Sequence, residues 1–200
     1  MNSSLYHGAL TREQFLFYEI RIVAKLILKG HNRKDILDII KDENLFQFPT
    51  EKMISSITGT CFRRIDALDS ETLIYHLAEA PSEVGKQINL YAMMKYNRIV
   101  WDFMTTVIGE KFRTQAFDFS KKDMNVFFYG LQEQNDTVAS WSDSTIAKIK
   151  QVLVRSLVEC GYLDSVKAEH LNNVAIEPDL EDEIKANGDM AALPAFNCFS

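Results

Sequence analysis

The stretch from Ser140 to Asp164, SWSDSTIAKIKQVLVRSLVECGYLD, predicts a capped amphipathic helix followed by a short apolar strand. Ser142 or Ser144 is suited to cap the start of this helix, and Gly161 is suited to end it. A helix, a glycine and a short apolar strand in this order are typical of the recognition helix and wing of a winged helix-turn-helix. The side chains expected to face the core recur at helical spacing: Ile146, Ile149, Val152 or Leu153, and Leu157.

The opposite face of this helix is polar. Ser144, Lys148, Gln151 and Arg155 recur at i, i+4, i+7 and i+11 and therefore share that face. Lys, Arg, Gln and Ser can all contact phosphates or base edges, so the row predicts a DNA-binding face. A plain solvated face is the simpler interpretation, because most surface helices carry such a row. The DNA interpretation therefore depends on support from the rest of the chain.

A second polar row is predicted on an earlier helix, residues 51–68, which Thr50 caps. Three successive predicted helices, with a turn before this third one, suggest a second helix-turn-helix unit, and the polar row would be its DNA-binding face. Gly59 on this face costs about 1 kcal/mol relative to alanine. Close approach to a phosphate and a tight helix crossing would each explain that glycine. The candidate DNA contacts on this helix are Lys52, Ser55, Ser56 and Arg63, with Arg64 beside them.

Three regions follow from the pattern of helices. Residues 1–80 are predicted to form an N-terminal helical, helix-turn-helix-like region, which includes a helix over residues 11–29 that begins with a Thr11–Gln14 capping box. Residues 81–115 are apolar around most of the helical circumference and predict a long central helix. Residues 116–200 predict a winged-helix-like region with an acidic tail, in which Val166 and residues 174–176 pair as a small β wing. The predicted fold is therefore a mostly α bundle that forms one compact unit around that central helix.

The charge distribution is compatible with nucleic-acid binding despite a net charge of −6. Residues 168–200 hold seven acidic residues and one basic residue, which leaves 21 of each sign in residues 1–167. A neutral helical body can still present a basic face, since binding depends on local charge placement. The acidic tail is predicted to be a solvated helix; shielding of the basic face and docking on a partner are the alternatives.

The sequence carries no signal for export, membrane insertion, metal binding or common catalysis. Its apolar stretches are too short to cross a bilayer, and Cys61, Cys160 and Cys198 predict no disulfide framework. Phosphate-loop, dinucleotide, paired-cysteine and zinc-protease motifs are absent, although a catalytic triad need not be local in sequence. We expect a cytoplasmic, non-enzymatic protein with no metal, no cofactor, no small-molecule substrate and no membrane contact.

Four long runs, spread over essentially the whole chain, carry a family resemblance. They are GALTREQFLFYEIRIVAKLILKG (residues 8–30), PSEVGKQINLYAMMKYNRIVWDFMTTVIGEKFRT (81–114), QEQNDTVASWSDSTIAKIKQVL (132–153) and ALPAFNCF (192–199). In these runs the chain resembles BrxA, the small helical component of BREX bacteriophage-exclusion systems. The resemblance implies a mostly helical, non-enzymatic accessory protein that binds double-stranded DNA and acts with other BREX components. It supplies no residue-level contacts, so the candidate residues rest on the helix faces alone.

Two other function classes stay open at this point. A helical adaptor would hold defence components together by protein–protein contacts without binding DNA directly, and the acidic tail and the many aromatic residues favour it. An RNA-binding helical module is the other alternative, although the sequence contains no RNA-stacking motif.

Overall fold

Short polar residues cap most helices of this computed structural model, which describes residues 6–199. The predicted mostly helical fold is confirmed. Residues 1–5 and Ser200, at the ends of the predicted N-terminal and C-terminal regions, lie outside the described residues. The capping side chains that accept a backbone N–H of the first turn are Asn32, Thr50, Ser70, Asn97, Ser120, Asn135 and Ser142.

The chain divides into two compact units, which we call the N-unit (Leu16–Tyr96) and the C-unit (residues 6–15 and 97–199). In the N-unit, α3 (Glu51–Leu68) packs against α1 (Phe17–Leu28) and α5 (Ser82–Tyr96), and α4 (Glu71–Glu79) packs against the same two helices. Their apolar faces form a core of its own, with Ile20, Cys61 and Leu73 fully buried. The helices of this unit are α1 (Phe17–Leu28), α2 (Arg33–Asp42), α3 (Glu51–Leu68), α4 (Glu71–Glu79) and α5 (Ser82–Tyr96).

The C-unit has its own core, in which the C-terminal 3-10 helix Met190–Phe196 packs on α7 (Gly109–Arg113) and on the π-helical turn before it (Met104–Ile108). The Tyr162 hydroxyl donates a hydrogen bond of 2.9 Å to the Ala195 carbonyl within this core. The elements of this unit are a 3-10 helix (Gly8–Thr11), α6 (Arg98–Phe103), the π-helical turn (Met104–Ile108), α7 (Gly109–Arg113), α8 (Lys121–Gln134), α9 (Asp136–Ala139), α10 (Asp143–Glu159), α11 (Pro178–Ala186) and the C-terminal 3-10 helix.

The predicted long central helix is wrong, because the helix is interrupted at Asn97. This residue is extended, with φ −125° and ψ 114°, and its side chain accepts the backbone N–H of Ile99 at 3.0 Å. It therefore caps a new helix instead of continuing α5. The predicted segment divides into α5, which belongs to the N-unit, and α6, the π-helical turn and α7, which belong to the C-unit.

The predicted β wing is also wrong, since residues 6–199 contain no strand. Extended pairing in this range is limited to an antiparallel bridge between Asp118 and His170. The Phe119 N–H donates to the Glu169 carbonyl at 3.0 Å, and the Leu171 N–H donates to the Phe117 carbonyl at 2.7 Å. The chain after α10 thus pairs with the segment before α8, which leaves Val166 exposed in a turn.

The first helix begins six residues later than predicted. Thr11 ends the 3-10 helix, where its hydroxyl donates to the Gly8 carbonyl at 2.9 Å, so it does not cap α1. Leu16 precedes α1 in the left-handed conformation, with φ 55°. That conformation turns the chain between the 3-10 helix and α1.

Candidate nucleic-acid interface

The candidate face in the C-unit lies on α10, whose ends are set by local capping. The Ser142 hydroxyl accepts the Thr145 backbone N–H at 3.3 Å at the start of the helix. At the other end Gly161 is left-handed, with φ 76°, and its N–H donates to the Val158 carbonyl at 3.1 Å. The Tyr162 N–H completes this Schellman arrangement by donating to the Leu157 carbonyl at 2.9 Å. Both predicted ends of the helix are therefore confirmed.

The two faces of α10 divide as the spacing predicts. The apolar residues expected in the core are all buried: Ile146, Ile149, Val152, Leu153 and Leu157. On the opposite face Ser144, Gln151 and Arg155 are exposed, and Lys148 is half-buried. The Lys148 ammonium donates to the Gln151 side-chain oxygen at 3.2 Å. The structure thus places all four candidate side chains of α10 on one solvent-facing row.

The cations of this row are available for an anionic ligand. Within residues 6–199, Arg155 takes part in no ion pair, and the partner of Lys148 is the neutral amide of Gln151. Asp143 and Glu159 are exposed at the two ends of the helix and bracket the row. Its centre is therefore the part with net positive charge.

Lys150 is a cation that periodicity missed. Its ammonium donates to the Asn125 side-chain oxygen at 2.7 Å and lies 5.2 Å from the centre of the Phe128 ring, so it joins α10 to α8. Burial lowers the pKa of Lys150. Because Lys150 lies off the i, i+4, i+7 row, helical spacing assigned it to neither face. Its contacts show instead that it fixes α8 beside the candidate face.

The segment before α1 supports α10 from another side. The 3-10 helix Gly8–Thr11 packs on α10, and Tyr6 anchors this segment by donating a hydrogen bond to the Asp102 carboxylate. The Arg98 guanidinium lies 4.6 Å from the centre of the Tyr6 ring and 3.4 Å from Asp102. Burial, together with the bond to Asp102, raises the pKa of Tyr6 to about 12. Tyr6 therefore stays protonated and keeps this bond at neutral pH.

The second candidate face lies on α3 in the N-unit and is narrower than predicted. Lys52 and Ser56 are exposed, and Lys52 has no ion pair within the described residues. Ser55 is half-buried, and its hydroxyl donates to the Glu51 carbonyl of its own helix at 2.8 Å. Only part of the predicted row is therefore presented to solvent.

Arg63 is exposed, but the N-unit already engages its guanidinium. Its Nε donates to the Tyr96 hydroxyl at 2.9 Å, and its Nη2 donates to the Thr60 hydroxyl at 2.9 Å. The guanidinium carbon also lies 5.6 Å from the centre of the Tyr96 ring. A Cβ placed on Gly59 would lie 3.4 Å from Nη1 of Arg63. The space at Gly59 is thus occupied by this side chain from the same helix.

The prediction that Arg64 belongs to the exposed row is wrong, because its exposed fraction is 1%. Arg64 lies three residues after Cys61 and four before Leu68, both of which are fully buried. That spacing puts it on the core side of α3, and this signal was present in the sequence. Burial raises the pKa of Cys61 to about 12, while the positive charge of Arg64 acts in the opposite direction.

Other kinds of site receive no support in residues 6–199. No group of three or more His, Cys, Asp or Glu side chains in this part of the chain is arranged to hold a metal ion. Every helix within the described range is too short or too polar to cross a bilayer.

The fold and the two rows define a mostly helical protein with candidate binding faces on α3 and α10. Comparison with known proteins gives the family: the model of the BrxA family matches residues 4–188. The chain belongs to the BrxA family of BREX phage defence systems.

Curated relatives and a solved structure agree with this family. The chain is 33% identical over 190 residues to the BREX protein BrxA of Bacillus cereus (strain H3081.97), a match that covers 94% of each chain. It is 26% identical over 189 residues to the BREX protein BrxA of Escherichia coli O9:H4 (strain HS), covering 94% of this chain and 87% of the relative. A crystal structure of an uncharacterized protein from Magnetospirillum magneticum shares the fold, with a TM-score of 0.80 at 22% identity over 96% of this chain and 97% of that one.

Proposed function

We propose that this chain is a non-catalytic accessory protein of a BREX phage defence system and that it binds double-stranded DNA. The observation that carries the proposal is the exposed row on α10, formed by Ser144, Lys148, Gln151 and Arg155. The two cations of that row have no acidic partner within residues 6–199. Such a row is suited to a polyanion, and phage or host DNA is the polyanion that membership of a BREX family suggests.

A helix with its side chains is about 10–12 Å across and can enter the DNA major groove, with an exposed row facing the phosphates and base edges. Ser144 and Arg155 are 11 residues apart, which corresponds to about 16 Å along the helix axis. The major groove is about 12 Å wide and admits one α-helix. In this arrangement Lys148 and Arg155 neutralise phosphates, while Ser144 and Gln151 fix the register. Because most of these contacts are to the backbone, we propose that binding tolerates many sequences.

In the same proposal α8, α9 and α10 act as a helix-turn-helix-like unit. Lys121 and Lys122 are exposed in the first turn of α8, and Lys150 holds α8 to α10 through Asn125. The row on α3 is a secondary face of the proposal, with Lys52, Ser56 and Arg63 as its exposed members. It ranks second because Arg63 is already bound to Tyr96 and Thr60.

Equilibrium binding of the purified chain to a labelled random duplex, measured at several salt concentrations, tests the proposal. If the row contacts phosphates, the logarithm of the affinity falls linearly with the logarithm of the salt concentration, with a slope of about −0.9 per phosphate contact. Absence of binding even at low salt would overturn the DNA proposal for the isolated chain.

The double variant Lys148→Glu, Arg155→Glu assigns the contact to α10. We expect its affinity to fall by roughly tenfold to a hundredfold for every duplex tested, and the salt slope to decrease by about 2. The matched control is Lys34→Glu, Lys41→Glu on α2, which makes the same charge change at one exposed and one half-buried lysine outside both rows. An equal loss in the control would show that only net charge matters, and the α10 assignment would then be wrong.

A helical adaptor without direct DNA binding is the second candidate. Large aromatic side chains exposed in the N-unit favour it: Tyr18 on α1 is 79% exposed and Tyr75 on α4 is 56% exposed. Tyrosine is enriched at protein interfaces, and α1 packs on α4. Capture of other BREX components from nuclease-treated lysate, by a chain that does not bind the labelled duplex, would favour the adaptor over the DNA binder.

A further inference from the structure

One face of α8 places two exposed apolar side chains between two opposite charges. Lys122, Val126, Tyr129 and Glu133 recur at i, i+4, i+7 and i+11, so they share one face of the helix. Val126 is 62% exposed and Tyr129 is 67% exposed, whereas the opposite face of α8 is buried in the C-unit. An exposed aromatic and an exposed β-branched side chain side by side are the features of a contact surface.

The charges at the two ends of this face have no partners in their own unit. Lys122 and Glu133 are both exposed, and neither forms an ion pair within residues 6–199. They lie 11 residues apart, which corresponds to about 16 Å along the helix. Along α8 this face therefore presents a positive side chain (Lys122), two apolar ones (Val126 and Tyr129) and a negative one (Glu133), in that order.

We propose that this face of α8 binds the same face of a second copy of the chain, with the two helices antiparallel. In a two-fold symmetric contact the same residues meet from both sides. Antiparallel pairing brings Lys122 of one copy to Glu133 of the other, twice per dimer. The same pairing brings Val126 against Tyr129, again twice. A parallel arrangement would instead place like charges together at both ends, so the order of the four residues selects the antiparallel one.

Gly130 gives independent support for a close approach at this face. It lies beside Tyr129 in the interior of α8, where glycine costs about 1 kcal/mol relative to alanine. A Cβ placed there would have no atom within 4 Å beyond the helix's own backbone, so packing inside this chain does not require the glycine. A second helix packed against this face would explain it, since a missing side chain at the flank of the face lets the two helices come closer.

The face is small, so the contact should be weak. Three helical turns on each copy form a small interface, below the size of stable complexes, so a dissociation constant on the order of 100 μM is expected. The dimer should therefore be reversible and depend on concentration. Its two ion pairs lie at the rim, and salt should weaken them.

Sedimentation of the purified full-length chain, without DNA and over concentrations from about 10 μM to 1 mM, tests this proposal, with those limits chosen around the expected dissociation constant. The single variants Lys122→Glu and Glu133→Lys each turn two attractive pairs into two repulsive ones, and each should raise the dissociation constant about tenfold. The double variant Lys122→Glu, Glu133→Lys restores both pairs and should return to within about threefold of the original value.

Two further variants separate this contact from general effects of charge and folding. Lys121→Glu makes the same charge change in the same first turn but away from the face, and it should leave association unchanged. Gly130→Ala should weaken association while the chain stays folded. A chain that remains monomeric at the highest concentration overturns the proposal. So does association that the single reversals leave intact, or a double variant as weak as the singles. Because DNA is absent, these outcomes are independent of the DNA-binding test.

Discussion

Replacing Gly109 by alanine should destabilise the C-unit, because α7 and the C-terminal 3-10 helix meet closely there. A Cβ on Gly109 would lie 3.2 Å from the Ala195 nitrogen, 3.2 Å from the Pro194 Cβ and 3.3 Å from the Pro194 carbonyl carbon. Favourable contacts between such atoms begin at about 3.5 Å. The neighbours are backbone and proline-ring atoms, which cannot rotate away as a flexible side chain can. The 3-10 helix itself must therefore shift.

Two opposing effects set the size of the change. Alanine in place of glycine favours a helix by about 0.5–1 kcal/mol. Overpacking of a well-packed core costs about 1–3 kcal/mol. The cost should be in the upper part of that range, because Leu193 and Phe196 are almost completely buried and Tyr162 holds the Ala195 carbonyl. We expect the free energy of unfolding to fall by about 1–2 kcal/mol, as the difference of these two terms.

The matched control is the same exchange at Gly130 in α8 of the same unit. No atom beyond the helix's own backbone lies within 4 Å of its added Cβ, so helix propensity acts alone and should raise the free energy of unfolding by about 0.5–1 kcal/mol. Urea unfolding followed by far-UV circular dichroism, at a protein concentration well below that of dimer formation, measures both variants. Equal stabilisation by the two alanines would refute the close packing of the C-terminal 3-10 helix on α7.

Two further predictions concern hydrogen bonds of the C-unit. Tyr162→Phe removes the donor to the buried Ala195 carbonyl and should lower the free energy of unfolding by about 1–2 kcal/mol in the same urea experiment, whereas an unchanged midpoint would contradict this role. Asp123→Asn tests the contribution of a carboxylate charge. Burial alone would raise the pKa of Asp123. Hydrogen bonds from the Lys111 ammonium and the Ser120 backbone N–H outweigh burial, so the pKa of Asp123 is lowered. The carboxylate therefore stabilises the fold above the unfolded pKa of about 3.9, and its contribution is lost as the pH falls through the lower folded pKa. The variant should be less stable by about 1 kcal/mol at pH 7, and this deficit should shrink below the unfolded pKa of about 3.9 and vanish once the pH lies below the folded pKa. A deficit of undiminished size at about pH 2 would contradict the prediction.

The sequence predicted helix boundaries well where a single side chain sets them. Thr50 and Ser142 each cap the helix that the sequence places after them. The start of α1 was missed because it depends on the left-handed Leu16, a residue type that gives no signal for that conformation. A capping side chain can therefore be predicted from sequence, whereas a left-handed leucine cannot.

The break at Asn97 was missed for a different reason. Residues 81–115 are apolar around most of the helical circumference, which is typical of one central helix. The structure gives another origin for this pattern: α5 contributes to the core of the N-unit, and α6 and α7 contribute to the core of the C-unit. Two shorter helices with different buried sides produce the same all-round pattern as one central helix. Asn97, a favourable capping residue, was the available signal.

The two candidate rows show what helical spacing can and cannot predict. Spacing correctly assigns Arg155 to the exposed side of α10 and Arg63 to the exposed side of α3. It does not predict that Tyr96, 33 residues further along the chain, would accept a hydrogen bond from Arg63. A phosphate that binds Arg63 must replace its hydrogen bonds to Tyr96 and Thr60, and the free energy of breaking those bonds would reduce the affinity. Arg155 forms no such bond within residues 6–199, so a ligand can engage it without breaking one. For this reason charge reversal on α10 should reduce DNA affinity more than charge reversal on α3, and the reverse order would move the proposed interface to the N-unit.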